Sequence, residues 1–234
     1  MTPEEPRSSF VTSLIEDQAP QEVLQLGLGD FDLTLSVCRA LNTLDNSALT
    51  LLTPNLLQHS EFLKETRKRN VETVMDLVEL NRTPADEVLP DFYFQNRAIN
   101  LAIINEVGPF DQALVAIYYV DKMLVSRGTL IINNADTPVM RKLCRYLVTE
   151  REYTLLRTLD GVKNGSVLTR LLRRQFNKAP RVVQDTVSTL INPDLLMLDD
   201  DPKLQGSMIA LTRRAEEGEI DMDFDTLLES IMSE

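Results

Sequence analysis

The sequence predicts an α/β protein built on an open, mostly parallel seven-stranded sheet, with a C-terminal hairpin that adds an antiparallel strand. Three observations support this fold class. Short apolar runs alternate with helix-like patterns along residues 23–174, which is the order of a parallel sheet with helical crossovers. Two glycines turn the chain directly after the first apolar run, in VLQLGLG. Two turn dipeptides, Asp160-Gly161 and Asn164-Gly165, separate the last two β-rich runs, as in an antiparallel hairpin.

The first half of the chain predicts a short helix followed by three strands with helical connections. Pro20 separates the first helix from the first strand. Pro54 ends the second strand, because proline cannot donate to a strand ladder. The predicted elements of this half are strands at 23–26, 48–53 and 77–80, helices at 9–17, 33–41 and 57–76, and a helical turn at 85–90.

The second half predicts four more strands. The run FDQALVAIY is almost wholly apolar, which is typical of a strand buried on both faces. Pro138 suits the first position of a helix, since the N–H that it lacks would be unpaired there. The predicted elements are helices at 96–106, 120–126 and 138–148 and strands at 110–118, 128–132, 153–159 and 166–172.

Composition and charge predict a cytoplasmic protein that does not bind nucleic acid. The 234 residues carry a formal net charge of -12, and residues 194–234 contain 12 acidic and 3 basic side chains, whereas nucleic-acid binding needs clustered cations. We expect no membrane span and no signal peptide. Cys38 and Cys144 lie in apolar patterns, which indicates reduced, buried thiols, with a disulfide as the alternative. His59, the only histidine, is predicted to be exposed rather than a catalytic base.

The order of elements resembles a class I S-adenosylmethionine-dependent methyltransferase. The segments that carry the resemblance are VLQLGLG, ADEVLP, FDQALV followed by VDK, RGTLIINN and the closing hairpin. Within that class the chain is most similar to the small O-methyltransferases related to catechol O-methyltransferase, over about residues 21–174. The resemblance implies a Rossmann-like methyltransferase fold with S-adenosylmethionine as the cofactor.

The resemblance also implies positions for the cofactor. Gly27 and Gly29 match the loop that lets the methionine part of the cofactor approach the backbone, which glycine permits because it has no side chain. The family carboxylate before this loop is replaced by Gln25. The acid that accepts hydrogen bonds from the ribose hydroxyls is replaced by Thr53, with Asn55 nearby. Neutral side chains therefore stand where the family has charged ones.

The adenine position shows a third replacement. Where the family often has Gly-Asp-Ala, this chain has Thr83-Pro84-Ala85, and only Ala85 matches. Asp86 is adjacent and is predicted to substitute for the missing acid. Three absent charge-assisted hydrogen bonds, each contributing roughly 1.5–3 kcal/mol, would weaken cofactor binding considerably.

The acceptor side is predicted from the carboxyl ends of the fourth and fifth strands, where open α/β sheets bind ligands. Tyr118, Tyr119, Asp121 and Asn133 are the candidate catalytic residues; packing in the core is the alternative for the two tyrosines. Metal-dependent family members hold magnesium with an Asp-Asn pair after the fifth strand. Here that pair is Asn133-Asn134, so we expect no magnesium site, and no zinc site with one histidine and two cysteines far apart.

Two functions remain open from the sequence. The first is S-adenosylmethionine-dependent methyl transfer to an oxygen of a small molecule. The second is an inactive pseudo-methyltransferase that acts as an interaction or assembly module. The predicted organisation is a helical lead-in (1–22), an α/β domain (23–174) and a helical, acidic extension (175–234), in which 175–210 is a candidate substrate lid.

The end of the acidic extension carries its own pattern. Apolar residues in FDTLLESIM recur at helical spacing. Residues 215–234 are therefore predicted to dock on their own domain, on a twin subunit in a homodimer or on a protein partner.

Overall fold

The computed structural model describes residues 6–69, 72–106, 108–151, 153–160, 204 and 206–214. Helices and strands alternate along these residues as α1 Arg7–Gln18, β1 Glu22–Leu26, α2 Phe31–Leu41, β2 Ala48–Leu52, α3 Leu56–Lys68, a 3₁₀ helix Glu72–Leu77, β3 Val78–Asn81, α4 Ala85–Phe94, β4 Ile99–Ile104, α5 Phe110–Met123, β5 Leu124–Asn133, α6 Pro138–Glu150, β6 Tyr153–Leu159 and β7 Met208–Arg213.

The seven strands form one sheet in the order β3-β2-β1-β4-β5-β7-β6. The pairs among β1 to β5 are parallel, and β7 is antiparallel to both β5 and β6. The strand order reverses direction between β1 and β4, which is where ligands bind in open α/β sheets. The predicted fold class is confirmed: the sheet is mostly parallel, and an antiparallel strand comes from the C-terminal part of the chain.

The helices cover both faces of the sheet. One apolar cluster joins the sheet to α4, α5 and α6, and the other joins it to α1, α2 and Phe62 of α3. Central strands such as β4, in which every residue except Asn100 is buried, are apolar on both faces for this reason. Both cysteines are buried free thiols, as expected. Among the described residues, no helix is long and apolar enough to span a membrane.

Two neighbouring predictions were wrong because their element types were exchanged. Residues 96–106, predicted as a helix, contain strand β4, and residues 110–118, predicted as a strand, begin helix α5. In α5, the buried residues follow a helical spacing: Ala113, Ala116, Ile117, Val120 and Met123. Its other side also exposes apolar residues, so the sequence shows an almost unbroken apolar run. Residues 120–126, predicted as a helix, end α5 and begin β5.

The antiparallel strand also differs from its prediction. The segment 166–172, predicted as the second strand of a hairpin, lies outside the described residues. The observed antiparallel strand is Met208–Arg213, between β5 and β6. Residues 208–210 were assigned to a substrate lid, which is wrong, since Met208, Ile209 and Ala210 are 0% exposed within the sheet. The sheet therefore includes a strand from the range 175–234.

Candidate functional site

A cleft of about 330 Å³ opens at the carboxyl edge of β1, β2 and β4. Three walls enclose it: the glycine loop after β1, the first turns of α3 and α4, and the segment between β4 and α5. The polar or charged residues that line it are Asn55, Gln58, Asp86, Glu106 and Gln112, and its apolar lining includes Leu26, Leu52, Pro84, Ala85 and Ala116. A cleft of this size with a few polar side chains is typical of a small-molecule site.

The glycine loop requires its glycines. Gly27 has φ +79° and Gly29 has φ +61°, a region in which other residues are strained. A Cβ on Gly27 would lie 2.7 Å from Cβ of Glu106, and one on Gly29 would lie 2.8 Å from Cγ of Asn105. The loop therefore packs directly on the end of β4, and Gly27 lines the cleft with its backbone.

Gln25 is fully buried beneath this loop. Its Nε2 donates to the carbonyl oxygens of Gly27 (3.1 Å) and Leu28 (3.2 Å) and to Oγ1 of Thr34 (2.7 Å). Thr34 Oγ1 in turn donates to the Leu28 oxygen. A carboxylate could not donate to these carbonyls. The amide at position 25 therefore holds the loop from below and does not line the cleft.

Two asparagines extend the amide network across the sheet edge. Asn105 donates through Nδ2 to the Gly27 oxygen (3.2 Å), and Asn133 donates through Nδ2 to Oδ1 of Asn105 (3.2 Å). Both asparagines are buried. Asn133, predicted as an acceptor-side residue, thus lies at the expected edge, where it supports the loop through Asn105.

Thr53, which stands at the predicted ribose position, takes part in an internal hydrogen bond. Thr53 is fully buried, and its Oγ1 lies 2.9 Å from Nδ1 of His59. His59 is 6% exposed, so the expectation that it is an exposed helix residue was wrong. Burial, followed by the positive charge of Arg82, lowers the pKa of His59. The neutral imidazole therefore fixes the Thr53 hydroxyl below the cleft.

Asn55 is the polar group that reaches the cleft after β2. Its Oδ1 caps α3 by accepting hydrogen bonds from the backbone N–H groups of Leu57 (3.0 Å) and Gln58 (3.3 Å), as an N-cap residue does. Ala85 and Asp86 begin α4 on the opposite wall. Gly27, Asn55, Ala85 and Asp86 thus line one cleft, whereas Gln25, Gly29 and Thr53 do not.

Tyr118, Tyr119 and Asp121 do not line this cleft. They lie near the C-terminal end of α5, which leads into the amino end of β5. Asp121 is 4% exposed, pairs with Arg151 and accepts a hydrogen bond from Tyr153 Oη at 2.9 Å. Their predicted placement depended on a strand at 110–118, which is a helix. Asp121 contributes to packing between α5 and β6.

Sequence reasoning missed Glu106 and Gln112. Glu106 lies two residues after the end of β4 at Ile104, so a strand assigned to 99–104 would have placed it at the carboxyl edge. Its carboxylate is exposed and is one of two that line the cleft among the described residues, the other being Asp86. Among the described residues, no group of three or more His, Cys, Asp or Glu side chains could hold a metal ion.

Comparison with known proteins supports the fold. No family model matches the chain, and no curated protein matches it by sequence. One similar solved structure is the O-methyltransferase TomG from Streptomyces achromogenes in complex with SAM, with a TM-score of 0.52 and 16% identity over 64% of this chain and 71% of that chain. A SAH-bound methyltransferase from Podospora anserina has a TM-score of 0.52 and 14% identity over 64% of this chain and 72% of that chain. A methyltransferase from Geobacter sulfurreducens has a TM-score of 0.54 and 14% identity over 89% of this chain and 77% of that chain. The chain has the class I methyltransferase fold.

Proposed function

We propose that the cleft binds S-adenosylmethionine and that the protein transfers its methyl group to an oxygen of a small molecule. The observation that carries the proposal is the position of the cleft. It lies where the strand order reverses, between the glycine loop and the first turns of α3 and α4. Solved proteins with this fold include SAM-bound and SAH-bound methyltransferases.

The residues of the cleft suit the parts of this cofactor. Asn55 uses Oδ1 for its helix cap, which leaves its Nδ2 to donate to a ribose hydroxyl, and Gln58 adds a second amide. Pro84 and Ala85 offer an apolar wall to a purine. The carboxylates of Glu106 and Asp86 complement the positive charge of the cofactor, and the Gly27 backbone permits close approach.

S-adenosylmethionine supplies a methyl group on a sulfonium, which is already activated for attack by a nucleophile. The protein then needs mainly to align donor and acceptor and to hold water away from them. The loop is well suited to this role, because the Gly27 carbonyl accepts hydrogen bonds from both Gln25 and Asn105. Its geometry is therefore set before any ligand binds.

Calorimetric titration with S-adenosylmethionine and S-adenosylhomocysteine tests the proposal. We expect micromolar binding, and a loss of about 10- to 100-fold in Glu106→Gln, the equivalent of one charge-assisted hydrogen bond. Glu61→Gln, on the exposed side of α3, is the matched control and should bind as the parent does. Undetectable binding at millimolar ligand would overturn the proposal. A screen of hydroxyl-bearing acceptors would then test methyl transfer.

A second candidate function is an interaction or assembly module that keeps the fold without the reaction. Two internal contacts favour it: Thr53 is bound to His59, and Gln25 is bound to the loop carbonyls of Gly27 and Leu28. Both positions are thereby closed to a cofactor. Undetectable cofactor binding together with capture of a partner by residues 215–234 would favour this candidate over methyl transfer.

A further inference from the structure

A second cleft, of about 300 Å³, opens at the opposite, amino edge of the sheet. It lies between the residues that precede β4, the junction of α5 with β5, and the end of β7. Among its described lining residues four are basic and none is acidic; the basic ones are Arg97, Lys122, Arg213 and Arg214. We call this the cationic cleft. In a chain with a formal net charge of -12, such a cluster is suited to an anionic group.

The basic side chains are held in different ways. Arg97 pairs with Glu79 at 2.9 Å and stacks over the ring of Phe92 at 3.9 Å. Arg213 donates through Nη1 to two backbone carbonyl oxygens. Lys122 and Arg214 are exposed and form no ion pair with a described carboxylate. These two cations are therefore available to an acidic ligand.

An aromatic patch continues from one wall of this cleft. It consists of Tyr93, Phe94, Tyr118 and Tyr119, whose neighbouring ring centroids lie 5.2–6.0 Å apart. Phe94 is 75% exposed and Tyr118 is 50% exposed. Tyr93 also lines the cationic cleft, and Lys122 Nζ lies 5.8 Å from the Tyr118 ring centroid. A contiguous exposed patch of this kind marks an interaction surface.

The chain itself leads an acidic segment to this place. Strand β7 ends at Arg213, and Arg214 lines the cationic cleft. The next residues, AEEGEIDMDFDTLLESIMSE, contain eight acidic and no basic side chains. Their apolar residues Phe224, Leu227, Leu228, Ile231 and Met232 share one face of a predicted helix. Residues 215–223 can span up to about 30 Å when extended, and they begin next to Arg214 at the cleft.

We propose that residues 215–234 bind back onto their own domain: acidic residues 216–225 in the cationic cleft and the apolar face of 224–232 on the aromatic patch. The tether raises the effective concentration of the segment to the millimolar range. Weak individual contacts are therefore sufficient. The segment supplies carboxylates and then apolar side chains, in the same order in which the domain surface offers cations and then aromatic rings.

A spin label on the segment tests this arrangement. Cys38 and Cys144 are 1% and 0% exposed, and burial raises the pKa of both thiols to about 12, so neither should react with the label. Ser230→Cys lies outside the predicted apolar face and accepts a nitroxide. We expect broadened amide signals at 93–98 and 122–126, and unaffected signals in α1 and α2. Raising the salt from about 0.05 to about 0.5 M should reduce the broadening.

Charge reversal identifies the contact. In Lys122→Glu/Arg214→Glu, we expect the broadening at 122–126 to fall by at least about half. Arg39→Glu/Lys142→Glu makes the same change of charge on other exposed positions and should leave it unchanged. Adding Asp221→Lys/Asp223→Lys to Lys122→Glu/Arg214→Glu should restore the broadening at 122–126. The proposal is overturned if the broadening lies on another surface, if it ignores salt and charge reversal, or if it arises only between a labelled chain and a second copy.

Discussion

The two edges of the sheet hold buried polar groups in opposite ways. At the carboxyl edge, Gln25, Asn105 and Thr53 are neutral and are bonded to backbone carbonyls or to a neutral imidazole. At the amino side, Asp121 is buried with a charged partner, Arg151. A neutral amide both donates and accepts, so it can fix a loop without the desolvation of a charge. The exposed carboxylates of the first cleft are then left to a ligand.

Asp121→Ala should have the largest effect. It removes a buried carboxylate that accepts hydrogen bonds from Arg151 and from Tyr153 Oη, and it leaves both donors without that partner. We expect the free energy of unfolding to fall by about 3–5 kcal/mol, measured by urea denaturation. Glu61→Ala removes an exposed carboxylate and should change it by less than about 0.5 kcal/mol. If both variants lowered the free energy of unfolding equally, the buried charge of Asp121 would not contribute to stability as this contrast between the two edges requires.

Gln25→Glu, which restores the family carboxylate, should destabilise the protein. The new oxygen would face the Gly27 and Leu28 carbonyls at the present Nε2 distances of 3.1 and 3.2 Å. We expect a loss of about 2–3 kcal/mol at pH 8 and no gain in cofactor binding. Because burial raises the pKa of a carboxyl, the unfolded state releases this proton first, and the loss should shrink as the pH falls towards 4.

The control for this variant is Gln58→Glu, at a partly exposed amide that lines the cleft. It should change the free energy of unfolding by less than about 0.5 kcal/mol. If Gln25→Glu were as stable as the parent at pH 8 and bound S-adenosylmethionine more tightly, the amide network would not be what sets the loop.

These residues also show how far sequence reasoning reaches. The loop after β1 was predicted because two glycines follow the first apolar run. Gly27, Asn55, Ala85 and Asp86 were placed by the resemblance to the methyltransferases, at strand ends that local patterns mark. Glu106 was missed because two apolar runs adjoin, and their length and composition do not distinguish a buried strand from a helix with an apolar outer side.

Tertiary partners account for the other differences. The helix that carries His59 has a charged sequence. That sequence does not show that the His59 side chain is buried and bonded to Thr53 Oγ1. Strand β7 pairs with β5, which lies some 80 residues earlier in the chain. This pairing depends on the packing of the whole sheet, and the turn dipeptides at 160–165 do not predict it.

His59→Gln sharpens the comparison at the carboxyl edge through pH. Burial lowers the pKa of His59, so the folded protein holds the imidazole neutral while the unfolded chain protonates it near pH 6.5. Its stabilising effect is therefore present above pH 6.5 and is lost as the pH falls through this value towards the folded pKa. In the parent we expect the free energy of unfolding to decrease as the pH falls from 7 to 5.5, and the variant should not show this decrease. If denaturant titrations gave the same pH dependence of the free energy of unfolding for the parent and the variant, the histidine would not be buried in its neutral form.

Glu79→Gln should have the smallest effect, because its partners at the amino edge are partly solvated. Hydrogen bonding to Arg97 lowers the pKa of Glu79, but the side chain is 51% exposed, so we expect a loss of about 0.5 kcal/mol that salt reduces. This contribution is present above the unfolded pKa of the carboxyl and is lost as the pH falls through the folded value. The variant also removes the negative charge beside Arg97, which increases the positive charge at the cationic cleft. Spin-label broadening at 122–126 should therefore increase, even though the free energy of unfolding decreases slightly. If the broadening and the free energy of unfolding both decreased, Arg97 would need Glu79 to hold its position.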